Sequence, residues 1–152
     1  MKILSGGQTG VDRAALDVAL ALGVPCGGWC PQGRRAEDGP IAPHYPLTET
    51  ESPEYEDRTE RNVVDADATL ILTRGQLHGG TNLTARMARR HGRPLLVVDP
   101  DDPDAVATIG TWLRRLRVAT LNVAGPRESN APGIYADARR CLEAALPLAD
   151  PG

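Results

Sequence analysis

Three glycine-rich turns supply most of the groups in this 152-residue sequence that could bind a ligand. They read SGGQTG at 5–10, HGGTN at 78–82 and GPRES at 125–129, and a short apolar run lies shortly before each one. A strand that ends in such a turn and leads into a helix directs free backbone N–H groups and the positive end of the helix dipole at one place, which favours anions. If the three strands are parallel neighbours, the turns share one sheet edge. The pattern therefore predicts a site for an anionic small molecule that carries phosphate.

The candidate ligand-binding residues in these turns offer a donor or let a ligand approach the backbone closely. They are Gly6, Gly7, Gln8, Thr9, Gly10, Gly79, Gly80, Thr81, Arg127 and Ser129. Arg127 is best suited to clamp a phosphate, since a guanidinium binds oxyanions through two donors. The alternatives are plain tight turns, helix caps at Thr81 and Ser129, and surface charge at Arg127. The first turn matches neither GxGxxG nor GxxxxGK[ST], so it predicts neither a dinucleotide fingerprint nor an ATPase P-loop.

Aromatic and arginine side chains around a long loop at 30–53 could hold the flat part of such a ligand. Trp29 precedes the loop, and Arg34 and Arg35 lie within it. An aromatic plane with two guanidiniums suits a planar anionic heterocycle. A loop of this length in a compact domain is usually functional or disordered, and its aromatic and arginine content favours a functional loop. The alternative is a solvated turn.

The helix expected after that loop carries polar residues where a core helix would need apolar ones. Ser52 and Pro53 are typical of the N-cap and first position of a helix. Arg58 and Asn62 are four residues apart and share a face with Tyr55. That face either lies over the ligand site or meets solvent.

The histidines and cysteines are not spaced as a catalytic or metal-binding set. Cys26 and Cys30 have three residues between them, and no second pair of Cys or His completes four zinc ligands. Cys141 makes the cysteine count odd, without a disulfide framework. We therefore expect no metal ligands and no Ser-His-Asp or Cys-His set.

Strands and helices alternate along the chain, which predicts an α/β fold. Strands are expected at 2–4, 25–29, 68–73, 94–98 and 117–123. Helices are expected at 11–22, 54–65, 82–91, 102–116 and 133–146, followed by a loose tail at 147–152. Right-handed βαβ crossovers would give one mainly parallel sheet of about five strands with helices on both faces. Residues 1–152 are predicted to form a single domain.

The charge balance argues against two classes of partner. Seventeen Lys and Arg residues against 20 Asp and Glu residues give a net charge of −3. This acidic balance is unlike that of proteins that bind nucleic acid or a membrane surface. The sequence shows no signal or transit peptide pattern and no apolar run long enough to span a bilayer, so a cytoplasmic location is expected.

Five longer motifs together resemble the molybdenum carrier family, the molybdenum cofactor carrier-like proteins. They are GGQTGVDRAALD, GGWCPQGRRAEDGP, YEDRTERNV, GGT and GPRES, and the resemblance runs over roughly 3–145. It implies a Rossmann-like three-layer sandwich, a homo-oligomer that is commonly a tetramer, and storage or transport of the molybdenum cofactor. That cofactor is a pterin with a phosphate and a molybdenum oxo centre, and so a planar anion of the expected kind.

A more distant resemblance connects the chain with the cytokinin-activating phosphoribohydrolases, once labelled lysine decarboxylases. Arg58-Thr59, the stretch 65–68 and Gly79-Gly80 resemble that family's conserved segments. In those enzymes an Arg and a Glu after the Gly-Gly turn carry out hydrolysis. Arg58 matches the Arg, but no carboxylate follows Gly80 through Arg90. This departure removes the usual catalytic acid.

Three hypotheses follow. The first is a carrier that holds the molybdenum cofactor, or a phosphate or nucleotide instead, without turnover. Backbone N–H groups of 6–10 and 79–81 would bind phosphate, with Arg127, and Arg34 or Arg35, adding charge while Trp29 covers an apolar face. The alternative is a nucleotide or nucleoside-monophosphate hydrolase that uses Arg58 with Glu60 or Glu128. A third is a nucleotide-sensing module that acts through partner proteins.

Overall fold

A computed structural model describes residues 1–149 of the chain, and their elements follow the predicted alternation. The strands are β1 (Lys2–Leu4), β2 (Cys26–Gly27), β3 (Trp29–Cys30), β4 (Arg35–Ala36), β5 (Gly39–Pro40), β6 (Thr48–Glu49), β7 (Ala68–Leu72), β8 (Leu95–Val98) and β9 (Thr120–Ala124). The helices are α1 (Val11–Leu22), α2 (Tyr55–Asp65), α3 (Gly79–Arg90), α4 (Ala105–Leu116) and α5 (Ile134–Ala145).

The central sheet has five strands in the order β2-β1-β9-β7-β8, and every neighbouring pair is parallel. The prediction of an α/β, Rossmann-like fold is confirmed. The turns after β1, β9 and β7 are the three glycine-rich turns or lead to them. Because these strands are adjacent and parallel, the turns lie at one edge of the sheet, where open α/β sheets bind their ligands.

The two faces of the sheet differ in polarity. One face packs against α1, α4 and α5 through an apolar core that includes Ile3, Leu70, Leu121 and Val123. The opposite face lies under α2 and α3. Alternate residues of a strand point to opposite faces, so Asn122 of β9 faces away from the core residues on either side of it. This polar face leads towards the glycine-rich edge.

The predicted second strand at 25–29 is wrong in its extent. It ends after Gly27, because Gly28 has a φ of +129° and a Cβ there would collide with the Ser5 backbone. The chain leaves the sheet at that point. Trp29–Cys30 then pairs in parallel with Thr48–Glu49 as a separate two-stranded sheet.

The segment 30–53, predicted to lack regular elements, contains three short strands. Arg35–Ala36 and Gly39–Pro40 form an antiparallel hairpin. The segment folds because it has a small core of its own, in which Ile41 and Tyr45 pack with Leu16 and Cys30. Each strand has only two residues, which is too short for a periodic pattern to show in the sequence.

Several predicted boundaries also need correction. Helix α3 begins at Gly79 rather than 82, so the two glycines belong to its first turn. Helix α4 begins at Ala105 rather than 102, and β9 begins at 120 rather than 117 because Arg117 ends α4 in the left-handed conformation. Glu54, not Ser52, is the N-cap of α2, although the Ser52 hydroxyl accepts a hydrogen bond from the Glu54 N–H.

The expected loose tail is in part ordered. Leu146–Ala149 forms a 3₁₀ helix that continues α5, and Leu146 belongs to the apolar core. Residues 150–152 of that predicted tail lie outside the described part. Within residues 1–149, no helix combines the length and the apolar character needed to cross a membrane.

Candidate functional site

A cavity of about 530 Å³ opens at the edge of the sheet where the three glycine-rich turns lie. Helix α2 and the first half of α3 form its sides, and the ends of β7 and β9 form its floor. Of the predicted site residues, those that line it are Gly6, Gln8, Arg58, Asn62, Gly79, Gly80, Thr81 and Arg127. The structure thus brings together residues from all three turns and from the polar face of α2.

The floor of the cavity is polar. Asn122 is buried and donates a hydrogen bond through Nδ2 to Thr69 Oγ1 at 3.3 Å. Thr73 and Thr84 are also buried and line the same cavity. Buried polar groups are normally found where hydrogen bonds compensate for lost water. A floor of this kind suits a ligand with polar groups.

Arg58 lies across the first glycine-rich turn. Its Nη1 donates a hydrogen bond to the Gly6 carbonyl oxygen at 2.8 Å and lies 3.6 Å from Asp12 Oδ2. A Cβ atom at position 6 would overlap Arg58 Nη1. A side chain at position 6 would therefore displace the guanidinium of Arg58, and glycine leaves the space that this group fills.

Asp12, at the start of α1, places a buried carboxylate inside the cavity, whose other acidic and arginine lining residues are Glu56 and four arginines. Its Oδ2 accepts a hydrogen bond from the Gln8 N–H at 3.4 Å. Burial raises the pKa of Asp12 to about 6, although the nearby Arg58 opposes the shift. Asp12 is an acid in the first turn of α1, and the sequence analysis does not include it among the candidate site residues. Its position directly after the glycine turn is the one signal that could have included it.

Gln8 is almost completely buried beside Asp12, at 5% exposure. Its Oε1 accepts hydrogen bonds from the N–H groups of Thr9 at 3.1 Å and Glu37 at 2.8 Å. These two bonds assign which end of the amide is the oxygen. The remaining Nε2 is buried and has no hydrogen-bond partner in the described chain.

Three guanidiniums lie around the ring of Tyr55 at the mouth of the cavity. Arg35, Arg58 and Arg127 lie with their Cζ atoms 5.2, 5.3 and 5.8 Å from the centre of its ring. Arg127 forms no side-chain hydrogen bond or ion pair within residues 1–149. Its charge is therefore available to a ligand, whereas Arg58 is already engaged.

The N-terminus of α3 offers two free backbone donors. The N–H groups of Thr81 and Asn82 donate to the His78 carbonyl oxygen at 3.1 and 3.2 Å. The N–H groups of Gly79 and Gly80 are the first two of the helix and have no intrahelical partner. Thr81 is buried and lines the cavity, and because α3 begins at Gly79 it lies in the first turn rather than at the cap.

Two more arginines line the cavity, and they differ in how strongly they are neutralised. Arg74 forms ion pairs with Asp101, at 2.8 Å, and with Asp137. Arg86, on α3, is exposed and lies nearly two helical turns beyond the free donors. On the α3 side of the cavity, the helix dipole and the side chain of Arg86 therefore both contribute positive charge.

The structure places the loop residues Trp29, Arg34 and Arg35 away from the cavity lining. Arg34 is held by four backbone carbonyl oxygens, those of residues 41, 42, 45 and 47, so its guanidinium supports the loop. The Trp29 indole N–H donates to Asp65 Oδ2 at 2.8 Å, and Arg61 stacks on its ring. Arg35 donates to the Pro53 carbonyl oxygen, and it contacts the Tyr55 ring without lining the cavity itself.

Glu37, at the tip of the β4–β5 hairpin, binds two residues that were predicted as ligand donors. The hydroxyl groups of Thr9 and Ser129, together with the Ser129 N–H at 3.2 Å, donate to its carboxylate. These hydrogen bonds lower the pKa of Glu37, that from Ser129 most strongly. Thr9, Ser129 and the neighbouring Gly7 and Gly10 are not among the residues that line the cavity.

Glu60 and Glu128, the acids suggested for a hydrolase, have other partners. Glu60 Oε2 lies 3.0 Å from His91 Nε2. Glu128 accepts the N–H groups of Gly133 at 2.7 Å and Tyr135 at 3.0 Å. Neither lines the cavity. Among residues 1–149 there is also no group of three or more His, Cys, Asp or Glu residues able to hold a metal ion.

Comparison with known proteins decides the family. The model of the family described as circularly permutated YpsA SLOG matches residues 3–146. The chain belongs to this family. It is 42% identical to a protein of known crystal structure from Syntrophus aciditrophicus SB, which bears the name "Putative molybdenum carrier protein". That likeness covers 95% of this chain and 94% of the other, with a TM-score of 0.91. No curated protein matches.

This relative confirms the family predicted from the motifs and the Rossmann-like fold. Its 42% identity extends over nearly the whole chain, so the correspondence includes the turns and α2 as well as the sheet.

Proposed function

We propose that this protein is a carrier that binds an anionic, phosphate-bearing cofactor, the molybdenum cofactor, without turning it over. The observation that carries the proposal is the convergence of the glycine-rich turns on one cavity lined by Arg58, Arg86 and Arg127. The name of the Syntrophus aciditrophicus relative supports a molybdenum-related ligand. The absence of a carboxylate from Gly80 through Arg90 supports binding without hydrolysis.

The α3 end of the cavity suits the phosphate group. Gly79 and Gly80 offer free N–H groups at a helix N-terminus, where the dipole favours negative charge. Thr81 adds a hydroxyl group and Arg86 a full positive charge. No carboxylate lies in the first turn of α3, so nothing on that turn opposes an anion.

The Tyr55 end suits the planar part of the ligand. Tyr55 offers an aromatic ring, and Arg127 offers a guanidinium that has no side-chain partner within residues 1–149. A guanidinium stacks on flat rings as readily as it binds oxyanions. Tyr55 thus takes the place that the sequence had suggested for Trp29. The volume of about 530 Å³ is within the usual range for small-molecule sites.

The proposal is tested by titrating the purified protein with the molybdenum cofactor under anaerobic conditions. We expect saturable binding, and we expect Arg127→Ala to weaken it about tenfold or more, equivalent to ~1.4 kcal/mol. Arg89→Ala is the matched control, since Arg89 is exposed on α3 outside the cavity. Binding that does not saturate, or equal affinity in Arg127→Ala and the wild type, would contradict the proposal.

A hydrolase remains the second candidate because Asp12 lies beside Arg58 in the cavity. Asp12 is then the acid to consider, since Glu60 and Glu128 are engaged elsewhere. Incubation with nucleoside monophosphates, followed by chromatography, separates the two candidates. We expect no free base. Release of base by the wild type that is lost in Asp12→Asn would establish the hydrolase instead.

A homo-oligomer, commonly a tetramer in the molybdenum carrier family, and a cytoplasmic location remain predictions. Light scattering of the purified protein during size-exclusion chromatography gives the subunit number. A monomer would contradict the prediction. The carrier proposal does not depend on it, because every residue assigned to the site comes from one chain.

A further inference from the structure

The buried amide of Gln8 is the polar group in the cavity that most lacks a partner. Its Nε2 is shielded from water and donates to no group in the described chain. A buried donor without an acceptor is destabilising, because it has lost its hydrogen bonds to water. Its other atom, Oε1, is fully used by two backbone N–H groups, so the amide cannot turn over to remove the cost. A ligand atom that accepts a hydrogen bond would satisfy it.

The Asp12 carboxylate provides acceptors in the same cavity as this donor. Both of its contacts, with the Gln8 N–H and with Arg58, are made by Oδ2. A carboxylate has about four acceptor positions, so Asp12 keeps most of its capacity. Asp12 cannot favour the phosphate, because like charges repel. It must face a part of the ligand that donates hydrogen bonds.

We propose that Gln8 and Asp12 recognise the edge of a 2-amino-4-oxopyrimidine ring, the edge that pterins and guanine share. The ring carbonyl oxygen accepts from Gln8 Nε2, while the ring N–H and the exocyclic amino group donate to Asp12. This inference rests on the proposed function and specifies which edge of the ligand the cavity recognises. The ring then lies at the Tyr55 end and the phosphate at the N-terminus of α3.

Burial of Asp12 makes this recognition selective. Its exposure is only 6%, and desolvation is the main reason that its pKa is raised. A site built to hydrogen-bond a ligand group rejects an analogue that lacks the group, because the protein groups are then left unpaired. Adenine presents the reverse order of donor and acceptor at this edge. It would leave both Gln8 and Asp12 unsatisfied.

Isothermal titration with three nucleotides that share one phosphate group tests the inference. Guanosine 5′-monophosphate has the complete edge, inosine 5′-monophosphate lacks the amino group, and adenosine 5′-monophosphate has the reverse pattern. We expect affinity to fall in that order, with the guanine nucleotide bound about tenfold or more tighter than the adenine nucleotide. Equal affinity for these two would overturn the inference.

Two substitutions identify the residues responsible. Asp12→Asn replaces half of the carboxylate with a donor, and Gln8→Glu keeps the Oε1 acceptor but removes the Nε2 donor. Each should abolish the preference for guanine over adenine, while the affinity for the adenine nucleotide does not fall. Asp57→Asn, an exposed carboxylate on α2 outside the cavity, is the matched control. An unchanged preference in both variants would overturn the assignment.

Two further measurements complete the test. One shows whether the site prefers a pterin or a guanine nucleotide, and the other distinguishes failure of this inference from failure of the carrier proposal. Tighter binding of 6-hydroxymethylpterin phosphate than of the guanine nucleotide assigns the site to pterins, and the reverse assigns it to guanine nucleotides. If the molybdenum cofactor binds saturably while neither of these probes binds, the inference fails and the carrier function stands. If the cofactor does not bind the wild type, the carrier function fails.

Discussion

The buried carboxylate of Asp12 lowers the free energy of unfolding of the ligand-free protein at neutral pH. Its pKa is raised to about 6 in the folded chain, mainly by burial, despite the positive charges of Arg58, Arg13 and Arg127. An acid with a raised pKa binds more protons in the folded state than in the unfolded state between the two pKa values. The free energy of unfolding therefore falls as pH rises from about 4 to about 6, and the penalty is complete above that range.

Asp12→Asn should accordingly stabilise the ligand-free protein at pH 7.5. A shift of two pKa units corresponds to roughly 3 kcal/mol, so we expect a gain on the order of 1–3 kcal/mol. The gain should shrink as the pH is lowered from about 6 towards 4. Urea unfolding of both proteins across this pH range measures it. A variant less stable than the wild type at pH 7.5 would show that the Arg58 pair outweighs desolvation.

Gln8 and Asp12 also show how far single residues can be assigned from sequence. Gly6, Gln8 and Arg127 line the cavity, and the sequence marks them as candidates because turn chemistry is local. The role of Asp12 depends on Arg58, which comes from a helix 46 positions away in the chain. Arg34 was expected to bind ligand, yet it is held by loop carbonyl oxygens that no local pattern identifies. Contacts of this kind follow from the fold.

Among the helices, α5 has Gly133 as its N-cap residue, and glycine has no side chain that could accept a capping hydrogen bond. Glu128 supplies the missing acceptor from the preceding turn, through the N–H groups of Gly133 and Tyr135. A carboxylate at this position also interacts favourably with the helix dipole. The third glycine-rich turn is thereby connected to the helix that packs on the apolar core.

Glu128→Ala should lower the free energy of unfolding by about 1–2 kcal/mol, as the loss of a helix cap does. The melting temperature should fall by roughly 2–4 °C per kcal/mol for a chain of this size. Glu143→Ala is the control, since Glu143 forms an exposed ion pair with Arg139 later in the same helix. We expect about 0.5 kcal/mol or less for the control. Similar losses in the two variants would argue against the capping role.

Most elements of the central sheet were predictable because their strands are short apolar runs, such as Ala68–Leu72, that alternate with helices of clear apolar spacing. The prediction failed at 30–53, where strands of two residues each have no period to detect. It also failed at the start of α3, because Gly79 and Gly80 read as a turn although both belong to the helix. Glycine has low helix propensity, but the first turn is where that matters least.

In the molecule as a whole, the two faces of the central sheet have different roles. Leu121 faces the apolar core, where it is fully buried, and Asn122 faces the cavity, where it is also buried. The core side supplies stability through apolar packing. The cavity side is polar, and Asn122 and Thr69 form a hydrogen bond there.

Alanine substitutions at these two adjacent residues should show that the two faces contribute differently to stability. Leu121→Ala should lower the free energy of unfolding by about 2–5 kcal/mol, the usual range for a buried leucine. Asn122→Ala should cost about 1 kcal/mol or less, because it removes only a long hydrogen bond to Thr69. Urea unfolding measures both. A larger loss for Asn122→Ala than for Leu121→Ala would refute the division between the faces.

The hairpin residue Glu37 has a further consequence for the whole molecule. Its carboxylate already satisfies Thr9 and Ser129, so the protein carries an internal competitor for any anion that would use those donors. Such an anion must first displace the Glu37 carboxylate, while the Glu37 backbone N–H donates to the buried Gln8 amide. The outer position and the wall of the inner cavity are therefore connected through one hairpin residue.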